Sequence, residues 1–486
     1  LPSLEKEAVF LSGNQQKMEH RGQHNMLKDT IAAVSTPPGE GGIGIVRISG
    51  PSARGIGLSL FRFSGREREP ESHRLYFGRI LDPRDGQVVD EALFSYMKAP
   101  RTYTREDIVE INCHGGVLPV AKTLRLVLSA GARLAEPGEF TQRAFLNGRI
   151  DLAQAEAVIQ IIRSRTDAAL KLGVAQLQGG LSAGIRRIRE RLLQLLVRVE
   201  ASIDYPEHQD VEEMARETIA RTVSEVLDQS NILLRTADKG RILREGLRTA
   251  IVGKPNVGKS SLLNALLGQE RAIVTPVPGT TRDVLEESIN LGGVALVVLD
   301  TAGIRETRDV VERMGVLRSQ EALASADLVL LVLDATAGAD DANRDILEKI
   351  AEKPCIFVLN KVDLLPETAT VEREIILLAG RRPVVPVSAL TGQGLDDLEQ
   401  AVLQLVFGGE VLMRDPVIIT SVRHRDALQR AADSLREVRE ALQLGLPLDL
   451  LSIDLYAALV ALGEITGETV HDELVEEIFR TFCIGK

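Results

Sequence analysis

Gly253-Lys-Pro-Asn-Val-Gly-Lys-Ser260 is the stretch whose reading decides the fold. It follows Arg248-Thr-Ala-Ile-Val252, a short apolar run of strand type, and precedes Leu262-Leu-Asn-Ala-Leu-Leu267, a helix-forming run that Gly268 ends. Strand, glycine loop and helix in that order are what a phosphate-binding loop requires. The glycines let the backbone turn tightly, so that successive N–H groups converge on phosphate oxygens at the positive end of the following helix. On this reading Asn256, Val257, Gly258, Lys259, Ser260 and Ser261 surround the phosphates. Lys259 reaches the outer phosphates as a catalytic cation, and the Ser260 hydroxyl meets a magnesium ion. A glycine-rich turn can match this pattern by chance, so residues further along the chain must decide.

Three later motifs continue the reading. Asp300-Thr301-Ala302-Gly303 ends the apolar run Val294 to Leu299, where an aspartate can hold the metal's water shell and a glycine N–H can meet the terminal phosphate. Asn360-Lys361-Val362-Asp363 follows the buried-strand pattern Cys355-Ile-Phe-Val-Leu359. The Asp363 carboxylate can accept from both the ring N–H and the exocyclic amine of guanine, a donor pair that adenine lacks. Ser388-Ala389-Leu390 follows Pro383-Val-Val-Pro-Val387 and would close over the base. These motifs lie in one order along one alternating strand and helix pattern, which implies a guanine nucleotide and GTP hydrolysis.

A length of 486 residues predicts more than one domain, and 44% apolar residues can fill several cores. The formal net charge of −11 argues against a general nucleic-acid coat while permitting local basic patches. Cys113, Cys355 and Cys483 form no C-x-x-C pair and suit a reducing, cytoplasmic setting. No apolar run approaches the roughly 18 residues that a membrane span needs. Residues 1–25 carry no strand or helix periodicity and read as an expression tag or disordered extension ahead of Met26.

Residues 26–146 read as an α/β domain: strands Thr30–Val34, Ile43–Ile48 and Ile108–Ile111, then Cys113-His-Gly-Gly116 as a turn before a helix through Leu128. Adjacent Cys113 and His114 make a poor metal site without further ligands. From residue 147 to 245 the period is helical, with Leu181, Ile185, Ile188, Leu192, Leu195 and Val199 on one face of a long helix. Arg186, Arg187, Arg189 and Arg191 crowd the same helix, able to touch RNA phosphates or to form a solvated face among glutamates. The nucleotide domain occupies 246–410. In 411–486 helices resume from Val422; Leu451, Leu455, Ala458, Leu459 and Leu462 share a face, and Thr469 with Asp472 marks a fresh helix start. The expected fold is therefore multidomain, α/β plus α, with a P-loop domain inserted into a helical bundle.

The phosphate loop, the segment Pro278-Gly-Thr-Thr-Arg-Asp283, the insertion between helices and the tail Phe482-Cys-Ile-Gly-Lys486 together resemble the MnmE (TrmE) family of tRNA-modification GTPases. The tail is the most specific part, because related GTPases share the phosphate loop and the Gly-Thr-Thr-Arg segment but not this ending. The resemblance implies a homodimer that works with the flavoprotein MnmG, as a heterotetramer, to place a carboxymethylaminomethyl or aminomethyl group on the wobble uridine of certain tRNAs. It implies that the N-terminal domain binds tetrahydrofolate, as the 5-formyl or 5,10-methylene form, and carries the dimer contact. Arg47, Glu110, Arg149 and Lys486 match the family's folate contacts. A pterin presents a ring N–H beside an exocyclic amine, so Glu110 could accept from it as Asp363 does from guanine.

The sequence has Ile304 where a Ras-like enzyme has the glutamine that orients the attacking water. The resemblance implies a substitute, a potassium ion beside the phosphates held by Asn256, Thr275, Val277 and Thr280. Pro276, Pro278 and Gly279 complete that nucleotide segment, and Thr281 joins Ser260 on magnesium. Glu312 matches the family's water-placing glutamate, although it also reads as one charge in the exposed run Arg305 to Arg313. Cys483 is either a catalytic thiol near the one-carbon chemistry or a small apolar residue docking the tail. The rival reading is a ribosome-assembly GTPase of the Era or Der type. Such a protein carries a KH-like module or a second nucleotide domain, whereas this chain has one phosphate loop and a helical, non-basic C-terminal part.

Overall fold

The computed structural model describes residues 29–65, 69–204, 209–268, 287–299, 323–337, 346–348, 350, 353–365, 375–409 and 417–486. The chain divides into two compact units, one made of residues up to Ile159 together with Thr466–Lys486, the other of Gln160–Ile465.

The first unit is built on a seven-stranded sheet of order β3-β4-β5-β6-β2-β1-β7. Its elements are β1 (Ile31–Val34), β2 (Gly41–Ser49), α1 (Ala53–Leu60), β3 (Phe61–Phe63), β4 (Arg74–Leu81), β5 (Val88–Met97), β6 (Ile108–Gly115), α2 (Val117–Ser129), β7 (Arg133–Leu134), α3 (Glu139–Leu146) and α4 (Leu152–Arg163). Alternation along the central strands sends Val46, Ile48, Val109, Ile111 and Cys113 into a core with Ile56, Leu60, Leu126 and Val127 of α1 and α2. The intervening residues point to the other face, where Ile31 and Ala33 pack with Phe140 of α3.

One local expectation needs correcting. Cys113-His-Gly is not a turn, because β6 continues to Gly115 by pairing Cys113 with Gly44 and Gly115 with Gly41. Gly115 permits this close pairing, since a Cβ there would lie 2.5 Å from the Gly41 carbonyl oxygen.

The second unit joins helices to a second sheet. α5 (Asp167–Leu177), α6 (Gly180–Asp204) and α7 (Gln209–Glu245) precede β8 (Leu247–Val252) and α8 (Lys259–Gly268). Then come β9 (Glu287–Leu291), β10 (Val294–Leu299), β11 (Leu328–Asp334), β12 (Cys355–Asn360), β13 (Val384–Val387), α9 (Leu395–Phe407), α10 (Val422–Gln443) and α11 (Leu448–Thr466). The six-residue face expected on the long helix is buried throughout on α6. The sheet order β13-β12-β11-β8-β10-β9 is parallel except for the β9–β10 pair. Its inner strands read Leu-Val-Leu-Leu-Val-Leu and Cys-Ile-Phe-Val-Leu because a parallel sheet buries both faces. β8 lies between β10 and β11, so the loop after it opens where the strand order reverses, the usual ligand position in such sheets.

Helix and sheet are fastened within this unit. α7 runs into β8 through Gly246 alone, at φ +94°, and Ile242 and Leu243 enter the core of the sheet. Arg241 donates to the Asp327 carboxylate at 2.7 Å, and Asp327 also accepts from the Arg248 N–H at 3.1 Å.

The chain then returns to the first unit with α12 (Asp472–Arg480) and the tail. Sequence periodicity groups this segment with the helices, but its burial is against α3 and α4: Phe479 and Phe482 pack with Ala144, Leu152 and Ala155. α12 starts at Asp472 as expected, although its N-cap is His471 and not Thr469, and His471 makes no side-chain cap bond.

Candidate functional site

The phosphate loop between β8 and α8 is shaped by residues in left-handed backbone: Gly253 at φ +149°, Asn256 at +63° and Gly258 at +98°. A Cβ at Gly258 would lie 2.2 Å from Asn360 Nδ2, and one at Gly253 would lie 2.3 Å from the Val332 carbonyl oxygen. Only glycine fits either place, and the tight turn it allows is the backbone shape from which an anion-binding loop is built. Lys259 Nζ donates to the carbonyl oxygens of Gly253 and Lys254, at 2.9 and 2.7 Å. Burial pulls its ammonium below the ordinary lysine range, because a low-dielectric setting disfavours the charged form.

Asn360 at the end of β12 joins the loop to the base side. Its Nδ2 donates to the Val257 carbonyl oxygen at 2.9 Å, and its Oδ1 accepts from the Ala389 N–H at 3.0 Å. Lys361 donates to the Asn256 carbonyl oxygen at 2.8 Å and to Asp334 at 2.6 Å. Burial pushes the Asp334 carboxyl up, but Lys361 and Thr336 outweigh it and hold the group below the usual carboxylate range. Val362–Leu364 forms a short 3-10 turn that leaves Asp363 exposed, outside the packed core that encloses Val362. Ser388 is fully buried and its Oγ accepts from the Thr391 N–H at 3.2 Å, so it braces the loop that carries Ala389 and the exposed Leu390.

The contacts of Asn360 and Lys361 thus join Asn256, Val257 and Gly258 to Ala389, and the chain carries Lys259, Ser260, Ser261, Val362, Asp363, Ser388 and Leu390 next to these joined positions. Ser260 and Ser261 lie on the first turn of α8. Thr275, Pro276, Val277, Pro278, Gly279, Thr280, Thr281, Asp300, Thr301, Ala302, Gly303 and Glu312 lie outside the described residues. The glycine cradle and the helix start at Lys259 fit a nucleotide and a magnesium ion at Ser260.

A second site lies in the first unit. Arg47 on β2 and Glu110 on β6 are register partners, and Arg47 Nε donates to Glu110 Oε1 at 2.8 Å. The tail closes on this pair: Gly485 carbonyl oxygen accepts from Ser35 Oγ at 3.3 Å and from Arg47 at 3.4 Å. Gly485 has φ +92°, and a Cβ there would lie 2.2 Å from the Val34 carbonyl oxygen. The Arg149 guanidinium lies 4.7 Å from the centre of the Tyr103 ring and donates to the Tyr103 carbonyl oxygen at 3.0 Å. Lys486 is half-buried; burial and then Arg47 pull its ammonium down, while Cys483 and Glu110 push it up. Arg47 and Lys486 beside the Glu110 carboxylate, with Arg47 over the Phe140 ring and Arg149 over the Tyr103 ring, suit a flat, amide-bearing heterocycle with an anionic end.

Cys483 is exposed, and Phe482 does the docking that the apolar reading gave to the cysteine. The Cys483 carbonyl oxygen accepts from the Gly138 N–H, and Ile484 bridges Pro137. Tyr103, Phe140, Ser35 and Gly485 escaped the sequence reading. Only Gly485 carried a signal, a glycine within a tail that already stood out.

Cys113 and His114 are not a metal pair. Cys113 is buried and donates to the Gly44 carbonyl oxygen at 3.3 Å, with burial pushing its thiol up, while His114 is exposed and pairs with Asp90 at 2.7 Å. Among the described residues no group of three or more His, Cys, Asp or Glu side chains gathers as a metal site. No helix among them is long and apolar enough to cross a membrane.

The family pattern described as "MnmE helical domain" matches residues 152–483, and "GTP-binding protein TrmE N-terminus" matches residues 30–149. The chain is 51% identical over 460 residues to the tRNA modification GTPase MnmE of Geobacillus kaustophilus, covering 94% of this chain and 99% of that protein. To the protein of the same name from Heliobacterium modesticaldum it is 50% identical, over 95% of this chain and all of the relative. Among solved structures it is similar to Era in complex with MgGDPNP and a piece of 16S ribosomal RNA, at 34% identity, 38% of this chain, 65% of that chain and a TM-score of 0.27.

Proposed function

The chain belongs to the MnmE (TrmE) family of tRNA modification GTPases, and from that premise we propose that it hydrolyses GTP in the modification of the tRNA wobble uridine. The observation that carries the GTPase part is Asn360, whose two side-chain bonds hold the phosphate loop and the base-side loop as one piece. A ligand that spans both, with phosphates at Gly258 and a base at Asp363, meets a cradle whose two ends are already fixed relative to each other. The Asp363 carboxylate accepts the two guanine donors. Lys259 exchanges the Gly253 and Lys254 carbonyl oxygens for phosphate oxygens, a gain because a buried ammonium then faces full negative charge.

Magnesium, held by Ser260 and Thr281, neutralises charge on the outer phosphates when bound. With Ile304 unable to orient water, a potassium ion near Asn256, Thr275, Val277 and Thr280 supplies the positive charge that an arginine finger supplies elsewhere. Glu312 places the attacking water. In this reading two copies of the chain pair, and the GTPase domains meet across the nucleotide.

The N-terminal unit binds a 5-formyl- or 5,10-methylene-tetrahydrofolate, which supplies the one-carbon unit. Glu110 accepts from the pterin donors, Arg47 holds that carboxylate in place through its hydrogen bond, and Arg149 and Lys486 meet the ligand's carbonyl or carboxylate oxygens. Cys483, exposed next to Lys486 at this site, is the candidate thiol. The partner is the MnmG flavoprotein, the substrate a tRNA and the setting the cytoplasm.

GTP turnover by the purified chain in potassium, against sodium at matched ionic strength and with Asn256→Ala alongside, tests the hydrolysis mechanism. A potassium-specific rate that Asn256→Ala abolishes is the expected result. Equal slow rates in both salts would remove the ion from the mechanism.

A further inference from the structure

A groove runs along the seam between α6 and α7, in two adjoining hollows of about 530 and 230 Å³ that share Arg191 and Gln194. Along its α6 wall Arg187, Arg191 and Arg198 recur at spacings of four and seven, which keeps them on one helix face. They span about 16 Å at 1.5 Å of rise per residue. The facing wall of α7 offers Thr218, Thr222 and Gln229, all hydrogen-bonding side chains. Two glutamates also line the groove: Glu190, and Glu225 at 3.7 Å from Arg191. α6 as a whole carries five arginines against three acidic residues, in a chain whose net charge is −11. This cationic stripe therefore runs against the overall charge of the molecule.

We propose that this groove is a docking surface for the sugar–phosphate backbone of tRNA. The inference rests on the tRNA-modification reading and names the surface that would serve it. Arginines one helical turn apart stand about 6 Å from each other along the axis, a step of the same order as that between neighbouring phosphates on a strand. Guanidinium groups bind phosphate oxygens bidentately and also stack on unpaired bases. The second property matters here, because aromatic residues are 3% of the chain and tryptophan is absent, so stacking contacts fall to arginine. The wider hollow combines Arg187 and Arg191 with a floor of Ile188, Leu233 and Val417, a surface for the face of a splayed base. The narrower hollow, with Arg198 and the two threonines, takes backbone. An acidic protein would find the same charges, but it would not need hydroxyl and amide groups in register with them.

The test is fluorescence anisotropy of labelled tRNA with the full chain bound to a non-hydrolysable GTP analogue, across a salt series. Compared are the wild type, Arg187→Gln/Arg191→Gln/Arg198→Gln, the same three positions as lysine, and a control of Arg221→Gln/Arg235→Gln/Arg439→Gln, exposed arginines outside the groove. The glutamine triple should lose about tenfold or more in affinity and flatten the log–log salt slope by about 2. The lysine triple should retain most of that slope, and the control should match the wild type. Nucleotide binding serves as the check on folding. Wild-type affinity and slope in the glutamine triple would overturn the surface while leaving the tRNA reading intact. Absence of any salt-dependent tRNA binding by the wild type would overturn that reading and the surface with it. Loss in the glutamine triple of binding to the flavoprotein alone, with tRNA binding unchanged, would reassign the groove to a protein and overturn the proposal.

Discussion

Arg47 and Glu110 stand directly opposite each other on adjacent antiparallel strands, bonded at 2.8 Å, with the tail's Gly485 carbonyl oxygen resting on the arginine. Their side chains are only 18% and 20% exposed, so each is the other's nearest polar partner in a largely water-excluded place. Removing one leaves its partner poorly solvated, at a cost of about 2 kcal/mol. The arrangement ties the last residues of the chain to the centre of a sheet formed by the first hundred or so.

Gly485→Ala should detach that tail. The new methyl would collide with the Val34 carbonyl oxygen at 2.2 Å in a left-handed backbone that alanine disfavours. Binding of 5-formyl-tetrahydrofolate, followed by calorimetry, should fall at least tenfold, with GTP affinity unchanged. Equal folate affinity would show that the tail contributes no contact.

Arg149→Ala should weaken the same ligand by about tenfold, the worth of one charged contact near 1.4 kcal/mol. The guanidinium lies over Tyr103 at 4.7 Å, so its loss also bares that ring. Arg149→Lys should rescue the charge but not the stacking, giving an intermediate affinity.

Asn360→Ala should lower GTP affinity by about 10- to 100-fold, because the buried Val257 carbonyl and the half-buried Ala389 N–H lose their partner at about 1–3 kcal/mol. The loss should appear for GDP as well as GTP, since the bonds organise both ends of the site. A nucleotide titration that showed no change would mean the two loops are held by other contacts.

Acid should destabilise the N-terminal unit as the pH falls into the ordinary carboxylate range, and the loss should continue below it. Arg143 is buried and donates to Asp29, Glu106 and Glu139. Burial pushes the carboxyls of Asp29 and Glu139 up, but hydrogen bonds from Arg133 and Arg143 outweigh it and leave both below their usual values. A depressed folded-state value means stability that is complete above the unfolded carboxylate range and is lost as the pH falls through the folded value. Urea midpoints measured stepwise from pH 6 downward should therefore drop below about pH 4.5. Arg143→Met should destabilise the unit by about 3 kcal/mol at neutral pH, since three carboxylates lose their shared cation.

Much of the second unit was legible in the sequence because its signals are local. The apolar runs ending at Val252, Leu299, Leu359 and Val387 are parallel strands of one sheet, and the face from Leu181 to Val199 is a buried helix face. A phosphate loop announces itself because glycine is needed where no Cβ fits, as at Gly253 and Gly258. The continuation of β6 through Cys113 was not legible, because it depends on a partner strand about seventy residues away with a bulge in its register.

The amino-acid order by itself determined the nucleotide motifs, the helical periods and the family, since each is written in spacings of a few residues that backbone geometry reads directly. Tertiary structure alone decided where the tail goes. Thr466–Lys486 has helical periodicity like its neighbours, yet Phe479 and Phe482 bury against α3 and α4, and Gly485 reaches Ser35 and Arg47. Nothing in a local pattern can specify which apolar surface, hundreds of residues earlier, a phenylalanine will cover. That choice is made by shape and by the carbonyl and guanidinium groups left waiting on the sheet.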